Sequence, residues 1–242
     1  MSELLTFEWR RAKSIRTTWV TSVFAVLGVA FFAFIAAVAV TDEQGNPIGL
    51  PITDALQTAV ITNPITIVLV SSLAAMAFGH EYRYGTIRLT LTAFTRRTGV
   101  FFAKLFITLL IVLVVVALSV AAGYGVIAAT GKGETGDLTW ASLAWHCAVF
   151  GLTYAILAFS LTVITRSHPL GIVGPLLIFM LEFILLPIIG GRYEWLPDLF
   201  PLTAMTNWFG AADKSMLGLG VWAGWMVGLL VLSYVLLKRR DA

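Results

Sequence analysis

This chain contains six stretches, each longer than 20 residues, that are almost free of charged residues. Shorter segments that carry most of the charged residues separate them. The six stretches cover residues 17–41, 55–79, 105–131, 138–165, 169–191 and 215–237. A helix needs about 20 apolar residues to cross the hydrocarbon of a membrane, and backbone groups in lipid must be satisfied within the helix. The 242 residues are 59% hydrophobic and 12% charged, whereas soluble domains have about 25% charged residues. The sequence therefore predicts an all-α integral membrane protein with six transmembrane helices in a single domain over residues 1–242.

Basic residues are distributed unevenly around these spans. The segments before span 1, between spans 2 and 3, between spans 4 and 5, and after span 6 hold 13 of the 16 lysines and arginines. The other side of the membrane carries eight of the 13 acidic residues. Loops rich in lysine and arginine stay in the cytoplasm. Both termini are therefore predicted to be cytoplasmic, in a multi-pass protein of the cell membrane.

The basic segment between spans 2 and 3, residues 79–104, has an amphipathic middle. Ile87, Leu91 and Phe94 recur at positions i, i+4 and i+7 and would share one face of a helix. Gly85 is suited to ending the preceding helix, and Arg96 and Arg97 would complement the carbonyl end of this one. The pattern predicts a short cytoplasmic helix that acts as a lever for transport.

Two further segments outside the spans have a clear pattern. Residues 1–16 are predicted to form an amphipathic surface helix with Leu5, Trp9 and Ala12 on one face, and not a signal peptide, because the following apolar run is too long. Residues 190–214 are too apolar for a solvated loop. Pro197 and Pro201 would break this segment into short helices, which predicts an external re-entrant hairpin, with a simple aromatic belt as the alternative.

Several catalytic and metal-binding motifs are absent from the sequence. Gly131-Lys132 lacks the other residues of a phosphate-binding loop, and Tyr84 stands where a zinc-protease motif beginning at His80 needs its second histidine. Cys147 is the only cysteine, which excludes a cysteine-based cluster. The chain is therefore predicted to be no enzyme and to hold no cofactor, so that energy for active transport must come from a partner protein.

The segment between spans 2 and 3 resembles the permease subunits of ABC-2 type transporters. The residues that carry the resemblance are Glu81, Arg83, Gly85, Thr86, Ile87, Leu91, Arg97 and Ala103-Lys104. Thr95 departs from the family pattern, because many members have proline there. In that family this segment is a coupling helix that fits a groove of a separate cytoplasmic ATPase. The resemblance thus implies an ATPase partner that binds ATP and Mg²⁺, together with a second permease subunit, identical or homologous.

The resemblance also implies a set of site residues. Those expected to couple the chain to the ATPase are Glu81, Arg83, Gly85, Thr86, Ile87, Arg88, Leu91 and Arg97. Glu182 is the acidic residue of span 5, and it is expected either to line the substrate pathway or to be a paired structural glutamate. Small residues in spans 1 and 5, among them Ala33 and Gly171, would permit contacts between two permeases. Gly220, Gly224 and Gly228 in span 6 are expected to pack within the subunit.

The sequence thus predicts the permease subunit of an ATP-driven ABC exporter that works by alternating access. A secondary transporter or channel without an ATPase, and a membrane immunity or interaction protein that transports nothing, are the alternatives. No nucleic-acid partner is expected.

Overall fold

The computed structural model describes residues 2–38, 51–61, 63–94, 96–129, 139–190, 193, 195–210 and 214–240. Within these ranges the chain is helical and contains no strand. Six helices are long and apolar enough to cross a membrane. They are α2 (Arg16–Val38), α4 (Pro64–Tyr84), α6 (Arg97–Ala129), α7 (Trp140–Thr165), α8 (His168–Gly190) and α10 (Ser215–Arg240). The predicted class, an all-α membrane protein with six spanning helices, is confirmed.

Helix α1 (Ser2–Ser14) precedes the first span and meets α2 at a corner around Ile15. Its buried residues are Leu4 and Glu8, while Trp9 on the predicted apolar face is 38% exposed. The segment is helical as predicted, and it packs on the bundle through Leu4 and Glu8. The burial of Glu8 depends on ion pairs, which hydrophobic periodicity does not detect.

The second predicted span is divided in the structure. Residues 52–61 form a separate helix, α3 (Ile52–Ile61), and the spanning helix begins at Pro64 instead of Ala55. The side-chain oxygen of Asn63 accepts a hydrogen bond of 2.9 Å from the backbone N–H of Ile65. Proline at the first helical position and asparagine as the cap are strong signals for a helix start. The Asn63-Pro64 pair therefore explains the division.

The third span begins earlier than predicted. Helix α6 starts at Arg97, not at Leu105, and has 33 residues. At 1.5 Å per residue it is about 50 Å long, whereas the hydrocarbon is about 30 Å thick. One end of α6 therefore extends beyond the hydrocarbon. Thr95 and the Gly131-Lys132 pair, which adjoin its two ends, lie outside the described residues.

Helix α7 occupies the centre of the bundle. In the apolar stretch of α7, 72% of the residues are buried inside the protein, compared with 11% in the apolar stretch of α10. Phe159 of α7 makes edge contacts with Phe78 of α4 and Phe101 of α6, at ring-centroid distances of 5.4 and 5.3 Å. The bundle is thus built around α7, with α10 at its edge.

The small residues of spans 1 and 5 pack inside the subunit, which differs from their expected use between subunits. Ala33 of α2 is fully buried, and a Cβ atom at Gly123 of α6 would lie 3.3 Å from its side chain. A Cβ atom at Gly171 of α8 would overlap Thr162 of α7. These residues allow close approach between helices of the same chain.

The glycine stripe of span 6 was expected to pack inside the subunit, and this expectation is wrong. A Cβ atom at Gly220, Gly224 or Gly228 would have nothing within 4 Å in the described part of the chain. The stripe therefore lies on the outer face of α10. Its position is consistent with the low burial of that helix.

The segment after α8 forms short helices, as its two prolines predict. Pro197 starts a 3-10 turn (Pro197–Leu199), and Pro201 starts α9 (Pro201–Gly210). Leu202 and Met205 of α9 are buried in the bundle. Trp208 lies between Trp145 of α7 and Trp222 of α10, at ring-centroid distances of 5.5 and 5.2 Å. This segment is therefore a folded part of the bundle, at the end where α8 finishes and α10 begins.

Candidate functional site

The opposite end of the bundle, called here the basic end, brings together α1, the end of α4, the start of α6 and the end of α10. Between α4 and α6 lies the short helix α5 (Ile87–Ala93). Gly85 ends α4 with a left-handed backbone of φ 68°, and its N–H donates to the carbonyl of Tyr82. A side chain at Gly85 would meet no atom within 4 Å but would strain this backbone. The predicted break at Gly85 is confirmed.

Helix α5 has one buried side and one exposed side. Ile87 is buried among Phe78, Phe101 and neighbouring residues, and Leu91 packs against the same cluster. Phe94 lies against Phe7 of α1, with ring centroids 5.3 Å apart. The predicted apolar face is therefore the one that holds α5 on the bundle.

The exposed side of this region is basic and partly apolar. Arg83 and Arg88 are exposed, and Leu89 is 70% exposed. The guanidinium of Arg83 lies over the ring of Tyr84, 5.6 Å from its centroid. An exposed leucine next to an exposed arginine, on a helix whose other side packs on the bundle, is a surface suited to binding a protein partner.

Four charged side chains form a buried ion network beneath α5. Lys104 Nζ lies 2.6 Å from Glu81 Oε1 and 2.8 Å from Glu8 Oε1. Arg11 Nη1 lies 2.8 Å from Glu81 Oε1 and 2.9 Å from Glu8 Oε2. Each carboxylate thus contacts both cations. The two negative and two positive charges sum to zero. We call Glu8, Arg11, Glu81 and Lys104 the ion network.

The ion network is enclosed by protein. Lys104 is 1% exposed, and Glu8 and Glu81 are each 5% exposed. Arg11 Nη2 also donates to the backbone carbonyl of Ala77, at 3.0 Å. Buried charges are tolerated only when they are paired and hydrogen bonded. The ion network therefore links α1, α4 and α6, because Glu81 of α4 and Lys104 of α6 find their opposite charges only on other helices.

The sequence-predicted coupling residues do not form one site. Glu81 and Ile87 point into the bundle, whereas Arg83 and Arg88 are exposed. Thr86 precedes α5 without a side-chain capping bond. Arg97 was expected to complement the carbonyl end of α5, but it donates a 3.0 Å hydrogen bond to the carbonyl of Lys238, at the end of α10. The residues expected to touch a partner thus divide into a buried group and an exposed group.

Glu8 and Arg11 were not among the site residues predicted from the sequence. Their signal is the i, i+3 spacing of opposite charges in α1, which is common on exposed helices and so gave no reason to expect burial. Lys104 was among the residues that carry the family resemblance but was not predicted to be a site residue. Its position within the apolar part of α6 is the signal that a buried partner exists.

Glu182 lies far from the basic end and has a clear structural role. It is 7% exposed, and its two carboxylate oxygens accept hydrogen bonds at the start of α9. The donors are the backbone N–H of Leu202 at 3.2 Å, the backbone N–H of Thr203 at 2.9 Å and the hydroxyl of Thr203 at 3.1 Å. The carboxylate of α8 thus caps α9, because the first N–H groups of a helix have no partner within it.

A groove of about 550 Å³ opens beside Glu182 between α7, α8 and α9. Aromatic side chains of α7 and α8 form much of its wall, and they belong to Phe150, Tyr154, Phe179 and Phe183. An aromatic groove with one carboxylate at its edge is suited to an apolar or cationic small molecule. No group of three or more potential metal ligands is present among the described residues.

The fold and this site define the chain as a multi-pass helical membrane protein whose basic end carries a short, anchored helix between spans 2 and 3. Residues 4–186 match the family described as ABC-2 family transporter protein. The chain belongs to that family and is a permease of ABC-type transport. A comparison with curated proteins found no match.

Proposed function

We propose that this chain is the membrane-spanning, non-catalytic subunit of an ATP-driven exporter. A separate cytoplasmic ATPase, which binds ATP and Mg²⁺, contacts the exposed side of α5, and two permease subunits form the substrate pathway by alternating access. The observation that carries the proposal is the arrangement of α5, which is anchored by Ile87 and Leu91 and presents Arg88 and Leu89 outward. Membership of the ABC-2 transporter family supports the ATPase as the kind of partner.

The ion network connects the end of α4, which precedes α5, with two other helices of the bundle. Glu81 lies in the last turn of α4, four residues before Gly85, and its carboxylate pairs with Arg11 of α1 and Lys104 of α6. A movement of α5 is therefore transmitted to three helices together, since packed helices move as rigid elements. Coupling through contact at α5 and transmission through the ion network are separate roles, and different residues carry them.

Arg88→Glu is expected to weaken association with the ATPase by roughly tenfold or more, because arginine at the centre of an interface often contributes 2 kcal/mol. The fold should be unaffected, since Arg88 is exposed. Copurification of the tagged chain with its ATPase, together with substrate-stimulated ATP hydrolysis, measures the effect. Arg239→Glu, an exposed charge reversal near the end of α10, is the matched control.

Equal loss in Arg88→Glu and Arg239→Glu would mean that the general charge of the basic end matters, not contact at α5. Retention of both association and stimulation in Arg88→Glu would overturn the proposed role of α5. Transport by the purified chain alone, without ATP, would instead identify a secondary transporter or channel. Absence of transport together with protection of cells from a toxic peptide would favour the immunity function.

The orientation proposed from the basic residues places α5 and both termini in the cytoplasm. In a Cys147→Ser background, single cysteines at Gln44 and Thr135, two positions outside the described residues, should react with an impermeant thiol reagent in intact cells. Thr92→Cys on the exposed part of α5 should react only after the cells are opened. Labelling of Thr92→Cys in intact cells would exclude a cytoplasmic ATPase as its partner.

A second permease subunit, identical or homologous, is proposed to pack against α8. That helix is exposed along much of its length, with Phe183 70% and Ile188 72% exposed. Only 22% of the residues in the apolar stretch of α8 are buried in the isolated chain. The groove beside Glu182 opens between this helix and α7, so a second subunit on α8 would enclose it and turn it into part of the substrate pathway.

A further inference from the structure

A second groove lies on the outside of the bundle at the basic end, between α1, the start of α2 and α6. Its volume is about 220 Å³, and most of the side chains that line it are apolar. Leu110, Val114 and Leu118 of α6 form its floor, at i, i+4 and i+8 on one face. They are 39–55% exposed. The groove is thus an apolar channel that runs along α6.

The length of this groove suits one leaflet of a bilayer. Eight residues separate Leu110 from Leu118, which corresponds to about 12 Å along the helix axis. Half of the hydrocarbon thickness is about 15 Å. Because α6 begins at the basic end, the floor runs from that end toward the middle of the membrane. An acyl chain lying along α6 matches both the direction and the chemistry of this floor.

The mouth of the groove carries two indole rings and a lysine. Lys13 Nζ lies 4.9 Å from the centroid of the Trp9 ring. Trp19 Nε1 donates a hydrogen bond of 2.9 Å to the backbone carbonyl of Lys13. Tryptophan side chains concentrate at the depth of lipid headgroups. The position of Lys13 between them places its charge at the level of a lipid phosphate.

The exposed cations near the corner between α1 and α2 are uncompensated. Arg10, Lys13 and Arg16 are all exposed, and none of the three forms an ion pair within the described part of the chain. Arg11, in contrast, points into the bundle and belongs to the ion network. The corner between α1 and α2 separates Lys13 from Arg16 by only two residues. A ligand with a negative head and an apolar tail would satisfy both parts of the groove.

We propose that this groove binds an anionic phospholipid of the leaflet at the basic end, with its phosphate between Lys13 and Arg16 and one acyl chain on the floor formed by Leu110, Val114 and Leu118. In the proposed orientation this is the cytoplasmic leaflet. The lipid fills the space beneath the corner between α1 and α2, next to the helix that supplies Glu8 and Arg11 to the ion network. The inference rests on the proposed membrane orientation only for the identity of the leaflet.

Native mass spectrometry of the purified full chain tests the headgroup. The protein in detergent is titrated with phosphatidylglycerol or with phosphatidylcholine that has the same acyl chains. The first lipid bound should prefer phosphatidylglycerol on the order of tenfold, and Lys13→Gln with Arg16→Gln should remove that preference. Lys238→Gln with Arg239→Gln removes the same charge at the same end and should retain it. Lys13→Arg should also retain it.

A variant that fills the groove tests the acyl-chain position. Val114→Trp places a large side chain on the floor without any change of charge and should weaken binding of the first phosphatidylglycerol at least tenfold. Val126→Trp, an exposed position further along the same helix, is the control and should bind as the unchanged chain does.

Two outcomes would overturn the proposal. Equal loss of preference in the Lys13/Arg16 and Lys238/Arg239 variants would show general surface attraction, which salt should then abolish. Unchanged binding in Val114→Trp would show that no acyl chain occupies the groove. Neither outcome depends on the ATPase, because the measurement uses the chain alone, so failure here is distinguishable from failure of the proposed function.

Discussion

Lys104→Met is expected to lower the free energy of unfolding by about 3–5 kcal/mol, because it leaves two buried carboxylates with one cation. In the intact protein Lys104 Nζ lies within 2.8 Å of both Glu8 and Glu81. Without it, Arg11 alone must balance two negative charges in an environment that water barely reaches. Equilibrium unfolding of the full chain in mixed micelles, followed by circular dichroism, measures the change.

A second substitution separates charge balance from packing. Glu8→Gln in the Lys104→Met background leaves Arg11 and Glu81 as a balanced pair and should recover part of the lost stability. Lys238→Met removes an exposed lysine and should change stability by no more than about 0.5 kcal/mol. Equal stability of Lys104→Met and Lys238→Met would mean that the ion network contributes nothing to the fold.

The ion network also changes what is expected of Glu81. On sequence alone, Glu81 was expected to be one of the residues that couple the chain to the ATPase. The carboxylate is instead buried and holds two cations, so Glu81→Ala should lose stability together with coupled ATP hydrolysis. Arg88→Glu should lose coupling without any loss of stability. Stability measurements therefore separate transmission through the bundle from contact with the ATPase.

The large features of the fold were predictable because hydrocarbon imposes strict requirements on a chain. Runs of apolar residues gave six spanning helices, and the left-handed Gly85 and the two prolines after α8 marked real helix boundaries. Asn63-Pro64 is a recognisable signal for a helix start. It was missed because apolar residues precede and follow it. The start of α6 at Arg97 was missed because its first turns contain basic residues, which are typical of a loop between spans.

The ion network was not predictable, because its members are far apart in the sequence. Glu8 and Arg11 belong to α1, while Glu81 and Lys104 lie on α4 and α6, so only packing brings their charges together. The positions of glycines in the spans also did not indicate whether they face the bundle or its outside. Gly171 faces a helix of the same chain, whereas Gly224 faces outward, although both are small residues within apolar spans.

Glu182→Leu is expected to be the second most damaging change, with a loss of about 2–5 kcal/mol in the free energy of unfolding. It removes the acceptor for three donors at the start of α9, and each buried donor left unsatisfied costs about 1–3 kcal/mol. Glu182→Gln keeps one acceptor oxygen of similar shape and should cost about 1 kcal/mol. Leu181→Met, at the exposed neighbouring position outside the groove, is the control and should be nearly silent.

Transport measurements on the same variants address the pathway role, which stays a prediction. If Glu182 contacts substrate in the aromatic groove, Glu182→Gln should reduce export of cationic compounds more than that of neutral ones, at matched membrane levels and with basal ATP hydrolysis retained. If the carboxylate only caps α9, selectivity should be unchanged in Glu182→Gln, and the loss in Glu182→Leu should follow the amount of folded protein. Unchanged selectivity in both variants would leave the cap as the sole role of Glu182, because a charge that contacts substrate cannot be removed without altering the preference for charged compounds.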